Sequence, residues 1–421
     1  MGDGPQYSYF HNFLNADSIR SRRGDKMSKV DEVTQEKLKA KTNRGLKVYY
    51  GNSDEVNRIL YSDYNEFSKV NSRKQSMTGF DPEYLDIVDY IIKITHRIWE
   101  EKGIGVIYRT YHNDVVMHTG SVDVKGINEV VAGTLQTLHA FPDRSLVGEN
   151  VIWSGNDKEG FLTSHRIVSS ATNLGDSSFG PATGKRVVFR TIVDCFVHSN
   201  RIIEEWLVRD NLYIVSQLGF DPKDIAKKLA LGSKSKSPAL QSNFGVSQTM
   251  VGQLMPNIFT SISDDFDIGE FILEMYNKVW EWRLFNHVND FYADNAVVHY
   301  ICNKDLIGTN QIQGMLVSLF ASFPNARFLV ERVTCNEGLT KDEWEVAVRW
   351  RLQGLHEGIG YFGSPSDQPV EILGITHLRV RHEKIVEEWI TFDGLDVLRQ
   401  MYLGIHSDEK ENENNEESSF I

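Results

Sequence analysis

The chain has 421 residues, 41% of them hydrophobic and 24% charged, with a formal net charge of −13. That length suggests two or three domains, and the composition suits a soluble protein able to bury a core. So acidic a surface repels nucleic acid and anionic membrane, and neither is an expected partner. Three cysteines, Cys195, Cys302 and Cys335, are too few and too scattered for a disulfide framework or a zinc site. No apolar leader follows the first residues and no run reaches the length of a bilayer, so a reducing cytoplasm is the expected location.

In chain order, residues 1–80 read as a polar extension, expected to be partly disordered, with VNRILYSDYNEF (56–67) as a possible docked helix. The first domain is expected over residues 81–220. It opens on a helical pattern in which Leu85, Val88, Ile91, Ile92 and Thr95 recur at three- and four-residue spacing, with Pro82 as its start signal. A short strand (VVMH) follows, then a second helix, INEVVAGTLQTLHAF, stopped by Pro142. Three strand-like stretches close the domain: FLTSHRIVSS, KRVVFRTIVDCFV and RIIEEWLV. Residues 221–265 carry GSKSKSPALQSNFGVSQ and read as a linker.

The second domain, expected over residues 266–404, repeats the first. IGEFILEMYNKVWEWR supplies its helix, through Ile268, Phe271, Ile272, Met275 and Val279. RIIEEWLVRD (201–210) returns as KIVEEWITFD (384–393), which sets Trp206 against Trp389 at an offset of 183. Tyr111 pairs with Tyr292 and His118 with His299 at 181, and FPDRSL (141–146) with FPNARF (323–328) at 182. A unit of this size is a duplicated domain, not a solenoid repeat. Residues 405–421 form an acidic tail expected to be disordered. Helices first and then a strand meander give an α+β fold. A strongly curved antiparallel sheet wrapped on helices makes a cone whose apolar interior is a natural small-molecule pocket.

The run 180–219, GPATGKRVVFRTIVDCFVHSNRIIEEWLVRDNLYIVSQLG, resembles the closing signature of SnoaL-like polyketide cyclases, within the nuclear-transport-factor-2-like superfold. The matching pieces are Pro181, Thr183–Lys185, Ile203–Trp206, Asp210 and Gln217–Gly219. The resemblance covers residues 85–220 and 266–403. The second copy keeps Ile385, Glu387–Trp389, Asp393 and Gln400, but has SPSDQP (364–369) at the turn and lacks the terminal Leu-Gly. The resemblance implies two cone-shaped domains. It also implies cofactor-independent chemistry on a small carbonyl-bearing or cyclic molecule by Asp-mediated proton transfer: aldol cyclisation, isomerisation or hydration. A binding or scaffolding module with inactive pockets is the alternative. Single-domain relatives of this fold pair sheet against sheet, so an intramolecular pseudo-dimer is expected, and a homodimer is conceivable.

Alternation along a strand puts Glu204, Trp206, Val208 and Asp210 on one face, and Glu387, Trp389, Thr391 and Asp393 on the matching one. A carboxylate beside an indole in a dry cavity has a raised pKa, which suits an acid/base. The resemblance maps that role to Asp210 and Asp393. Each Asp also directly precedes a closing helix and could simply cap it. His118 and His299 could shuttle a proton or be satisfied core imidazoles. His165, His377, Tyr111, Tyr292, Trp206, Trp389, Glu204 and Glu387 are candidate pocket groups, each with packing or ion pairing as the alternative. The second copy has Val348 at the position of His165, and the first has Asp194 at the position of His377, so the two pockets are not expected to bind one ligand alike. No HExxH, Walker, Rossmann or GxSxG motif is present, and neither a metal nor a cofactor is expected.

Overall fold

The computed structural model of the chain describes residues 48–56, 58–59, 64–69, 75–120, 122–234, 259, 261, 265–340 and 342–403. The expected disordered ends and most of the expected linker lie outside those residues. Within the described part, the first half runs α1 (Ile87–Trp99), α2 (Gly105–Thr110), β2 (Tyr111–Thr119), β3 (Val122–Lys125), α3 (Ile127–Ala140), β4 (Ser145–Asn156), β5 (Gly160–Thr172), β6 (Arg186–His198), β7 (Arg201–Arg209) and α4 (Asn211–Leu218). The segment expected to be a linker opens with a further helix, α5 (Pro222–Lys234). The second half repeats the order: α6 (Ile268–Met275), β8 (Tyr292–Tyr300), β9 (Lys304–Ile307), α7 (Thr309–Ser322), β10 (Arg327–Glu337), β11 (Glu343–Leu355), β12 (Pro369–Arg381), β13 (Lys384–Phe392) and α8 (Gly394–Met401). No helix among the described residues is long and apolar enough to cross a membrane.

Each half builds one sheet. The first has the order β3-β2-β7-β6-β5-β4, and the second repeats it as β9-β8-β13-β12-β11-β10. The second sheet gains an edge strand from the N-terminal extension, β1 (Val48–Gly51). The expectation of an antiparallel sheet holds for all but one pair in each half: β2 lies parallel to β7, and β8 parallel to β13. The intervening helix and hairpins return the chain to the same end before the last strand begins. Bulges in β4 at Gly148/Asn150 and in β10 at Val330/Arg332 bend the long strands.

Local signals explain the helices. Asp86, not Pro82, caps α1: its side chain accepts the Asp89 N–H, so the helix starts later than the proline suggests. Asp267 caps α6 in the same way. α6 then widens into a π-helical turn over Tyr276–Glu281, which swings Tyr276 and Trp280 inward. One face of α1 is buried from Ile87 to Ile98 against the concave face of the first sheet. Within the expected docked helix, Tyr64–Phe67 form one helical turn among the described residues, and Phe67 and Ile59 lie in the first core.

The convex faces of the two sheets meet. Ile192, Trp206 and Val208 from one pack with Leu373 and Ile375 from the other. The Arg349 guanidinium lies 3.6 Å over the Trp206 ring, and Arg166 lies 3.5 Å over Trp389. These contacts are reciprocal across the repeat, as a two-fold interface requires. Polar groups buried with them are cross-paired. Asp194 sits 3.2 Å from Arg349 and 3.6 Å from Arg332. Ser164 bonds His377 at 2.8 Å, and Asn150 donates to Glu345 at 3.0 Å. Breaking a buried ion pair from one side strands the other charge. Asp194→Ala is expected to cost about 3–5 kcal/mol in urea denaturation; a loss below about 1 kcal/mol, the value of an exposed pair, would show that this pair does not hold the interface.

Candidate functional site

The concave face of each sheet can be read as rungs, because the strands are in register. In the first cone one rung is Trp153, Thr163, Cys195 and Glu205. The next is Val151, His165, Val193 and Leu207, followed by Ile167, Thr191 and Arg209. Ser169 and Phe189 come after, with Arg144 at their end. Successive rungs are about 7 Å apart, two residues of strand.

The first rung holds the acid. Glu205 is 3% exposed, and its Oε2 accepts the Tyr111 hydroxyl at 2.8 Å. Burial pushes its carboxyl up to about 7, against the opposing pull of the Tyr111 hydrogen bond. Burial and the same carboxyl keep the Tyr111 phenol protonated, well above 10. Burial lowers His165 to about 3, so its imidazole is neutral, and its Nε2 makes no hydrogen bond. The Thr191 hydroxyl is likewise buried without a partner. Side-chain exposure separates this cone from its copy. Val193, Leu207 and Arg209 point inward yet are only half-buried.

The second cone keeps the acid and loses the surroundings. Tyr292 donates to Glu388 at 2.7 Å, and burial again lifts the carboxyl to about 7. Val346, Val348 and Leu378 replace Thr163, His165 and Cys195. Gly374 and Phe392 replace Thr191 and Arg209. Tyr276, Trp280, Phe328 and Trp350 stack through the interior at centroid distances of 4.9–5.7 Å. Thr376, Ile390 and Phe392, at the positions of Val193, Leu207 and Arg209, are 0%, 2% and 0% exposed.

The other sequence candidates lie elsewhere. Trp206 and Trp389 belong to the convex interface, as do the groups that share their face. Asp210 therefore faces away from the cone. It caps α4 through the Tyr213 N–H, and its second oxygen accepts the Cys302 N–H of the other half at 2.5 Å. Burial raises it to about 6 while those two amides oppose the rise. It borders a cleft lined by Arg190, Tyr213, Tyr300 and Thr391. Asp393 caps α8 through the Leu395 and Asp396 amides and accepts Asn211 from the first half. The strand parity was right, but the Trp face is the outer one, where the sheets pack.

His118 is held between Asp123 (2.7 Å) and Glu204 (2.9 Å) and stacks on Trp206, with centroids 5.2 Å apart. Burial works against its charge, yet the two carboxylates keep its pKa above 6.5. His299 repeats the arrangement with Asp305, Glu387 and Trp389. His377 is bonded to Ser164 at the interface, and burial holds it neutral. Of the twelve candidates, only His165, Tyr111 and Tyr292 reach a cone interior. Glu205 and Glu388 were missed, although they stood beside the chosen Glu204 and Glu387; the signal was the period-two alternation, which sends them to the other face. Among the described residues, no group of three His, Cys, Asp or Glu side chains could hold a metal ion.

Matches to known proteins each cover about a third of the chain. The sequence model described as SnoaL-like polyketide cyclase matches residues 270–401. No curated protein matches the chain. Among solved structures, the chain is similar to a putative SnoaL-like polyketide cyclase from Jannaschia sp. CCS1, at 20% identity over 33% of this chain and 98% of that one, TM-score 0.28. It is similar to TsrD from Streptomyces laurentii at 20% identity, over 32% and 98% of the two chains, TM-score 0.29. IdmH, a putative polyketide cyclase from Streptomyces antibioticus, matches at 22% identity over 31% and 96%, TM-score 0.26. The segment 270–401, with its helices on a curved, mostly antiparallel sheet, is the part of the chain that the SnoaL-like polyketide cyclase model matches.

Proposed function

We propose that the chain is a cofactor-independent acid/base enzyme acting on a small carbonyl-bearing or cyclic molecule, with the first cone as its working half. The observation that carries this is Glu205: a buried carboxyl near pKa 7, on a concave face where Val193 and Leu207 remain half-buried. A group titrating near the working pH can both take and return a proton. Glu205 removes a proton next to the substrate carbonyl, leaving an enolate. Returning the proton to another carbon completes an isomerisation; attack of the enolate carbon on a second carbonyl forms a C–C bond and an alkoxide, and the proton held by Glu205 passes to that alkoxide to complete an aldol cyclisation. Neither route needs a co-reactant. Tyr111 stays protonated and positions the carboxylate, and neutral His165 offers a hydrogen bond to the substrate oxygen.

Asp210 and Asp393 serve in this reading as caps and interface links. The second cone, packed with rings, supports the pair as its structural half; that filling also favours a second reading in which the chain binds a ligand without turnover. Mass spectrometry of metabolite extracts separates the two. Wild type and Glu388→Gln are expected to consume the same compound, and Glu205→Gln to lose about 10²–10⁴-fold of that rate. Equal consumption by Glu205→Gln would remove Glu205 from the chemistry. With Glu205 as base, the wild-type kcat/KM is expected to rise with pH through about 7.

The sealed twin gives a stability counterpart. Between the ordinary 4.5 and about 7, folded Glu388 holds a proton that the unfolded chain has lost, so its contribution falls as pH rises across that window. Glu388→Gln is therefore expected to flatten the stability–pH profile, gaining up to about 3 kcal/mol over wild type above pH 7 in denaturant titrations.

A further inference from the structure

The far end of the first cone holds two arginines that its fold does not require. Arg144 is 7% exposed. Its Nε and Nη2 donate to Ser169 Oγ at 3.2 and 2.9 Å, and its guanidinium lies 4.3 Å over Trp99 and 5.4 Å over Phe189. Arg209 lies two rungs from Glu205 on the same concave face, and its Nε donates to Asn211 at 2.9 Å. Among the described residues neither guanidinium has a carboxylate within 4.0 Å. Glu100 affects Arg144 from farther away, with one oxygen engaged by the Leu146 N–H. Asp393, the carboxyl in the field of Arg209, is occupied as the cap of α8.

Leaving a buried guanidinium such as that of Arg144 without an anion is unfavourable. The second cone avoids that cost. Ala326 stands at the position of Arg144, Phe392 at that of Arg209 and Leu352 at that of Ser169, all buried. The same framework therefore closes with apolar residues there. Burial lowers Arg144 to about 9, with the like charge of Arg209 adding to the effect, so the pair is held against its own repulsion. Two guanidiniums close enough to feel each other's charge, with no internal anion, suit an oxyanion brought from outside.

We propose that Arg144 and Arg209 bind the terminal oxyanion, carboxylate or phosphate, of a small elongated molecule whose other end reaches Glu205. This rests on the first cone being the ligand-receiving half. Arg209 stands four positions beyond Glu205 on β7, about 13 Å along the strand. The stretch between is lined by Val151, Val193 and Leu207, which suits an apolar midsection.

The test is calorimetric titration of the full chain with 4-phenylbutyrate, its neutral amide 4-phenylbutanamide, and 3-phenylpropyl phosphate. The anions are expected to bind at least about tenfold tighter than the amide. Whichever anion binds more tightly identifies the headgroup. Arg144→Ala and Arg209→Phe, residues borrowed from the second cone, are each expected to abolish the preference while keeping or raising the melting temperature. Either variant alone suffices if the other fails to fold. Equal binding of anions and amide, no anion binding up to about 1 mM, or a preference that survives both substitutions overturns the proposal. The readout needs no turnover. Glu205→Gln is expected to keep the anion preference, so a failed catalytic test with intact binding removes the chemistry and not this site.

Discussion

An arginine laid on an indole across the two-fold interface is the contact on which the architecture turns. Each Trp sits on a convex sheet face that would otherwise be an apolar surface in water. Each is covered from the other half by a guanidinium at 3.5 or 3.6 Å. An arginine can do this because its flat cation is weakly hydrated and meets the ring's negative face. The charge must then be answered. Asp194 does so for Arg349, and Glu149 for Arg166 at 3.0 Å. His118 and His299 brace the same indoles from within their own sheets. A binding wall would leave the Trp face open; this one is closed by the partner half, which turns the repeated acidic-aromatic phrase into a joint.

Because the joint uses the convex faces, the concave ones are left to differ. The first keeps a polar sequence of rungs around Glu205, and inward side chains that remain half-buried. The second keeps Glu388 and Tyr292 but carries Val346, Val348, Leu378, Gly374 and Phe392 where the first has Thr163, His165, Cys195, Thr191 and Arg209. Both contain the same Tyr–Glu hydrogen bond, so the acid alone does not distinguish a working cone from a filled one. What distinguishes them is the exposure of Val193, Leu207 and Arg209 and the unbonded polar atoms of His165 and Thr191 on the first concave face.

Much of the fold was legible. The period of the helices, the FP stops and the repeated phrase located the duplication and most of the long strands. β4 and β10 were not recognised: SLVGENVIWSGN breaks its alternation at the Gly148 bulge, and ERVTCNE places Arg332 and Asn336 where they answer the other half. The site was less legible. Alternation separated Glu204 from Glu205 correctly, but which face looks into the cone depends on sheet curvature and on what covers the other side. Neither is encoded in one strand. Asp210 and Asp393 looked like acids because they stood beside Trp, and they proved to stand beside amide N–H groups. His165 was found because an imidazole facing Val348 is an asymmetry visible in the aligned halves; Arg144 facing Ala326 and Arg209 facing Phe392 were equally visible.

Joining the halves in one chain has a consequence that two identical subunits could not have. In a symmetric dimer, a substitution that fills a cone fills both, and rigidity is gained at the expense of every active site. Here Val348, Phe392 and Trp350 seal one cone while His165, Arg209 and Ile167 stay in the other. Covalent linkage thus lets the two concave faces diverge, one filled with rings and the other keeping polar side chains at the same positions.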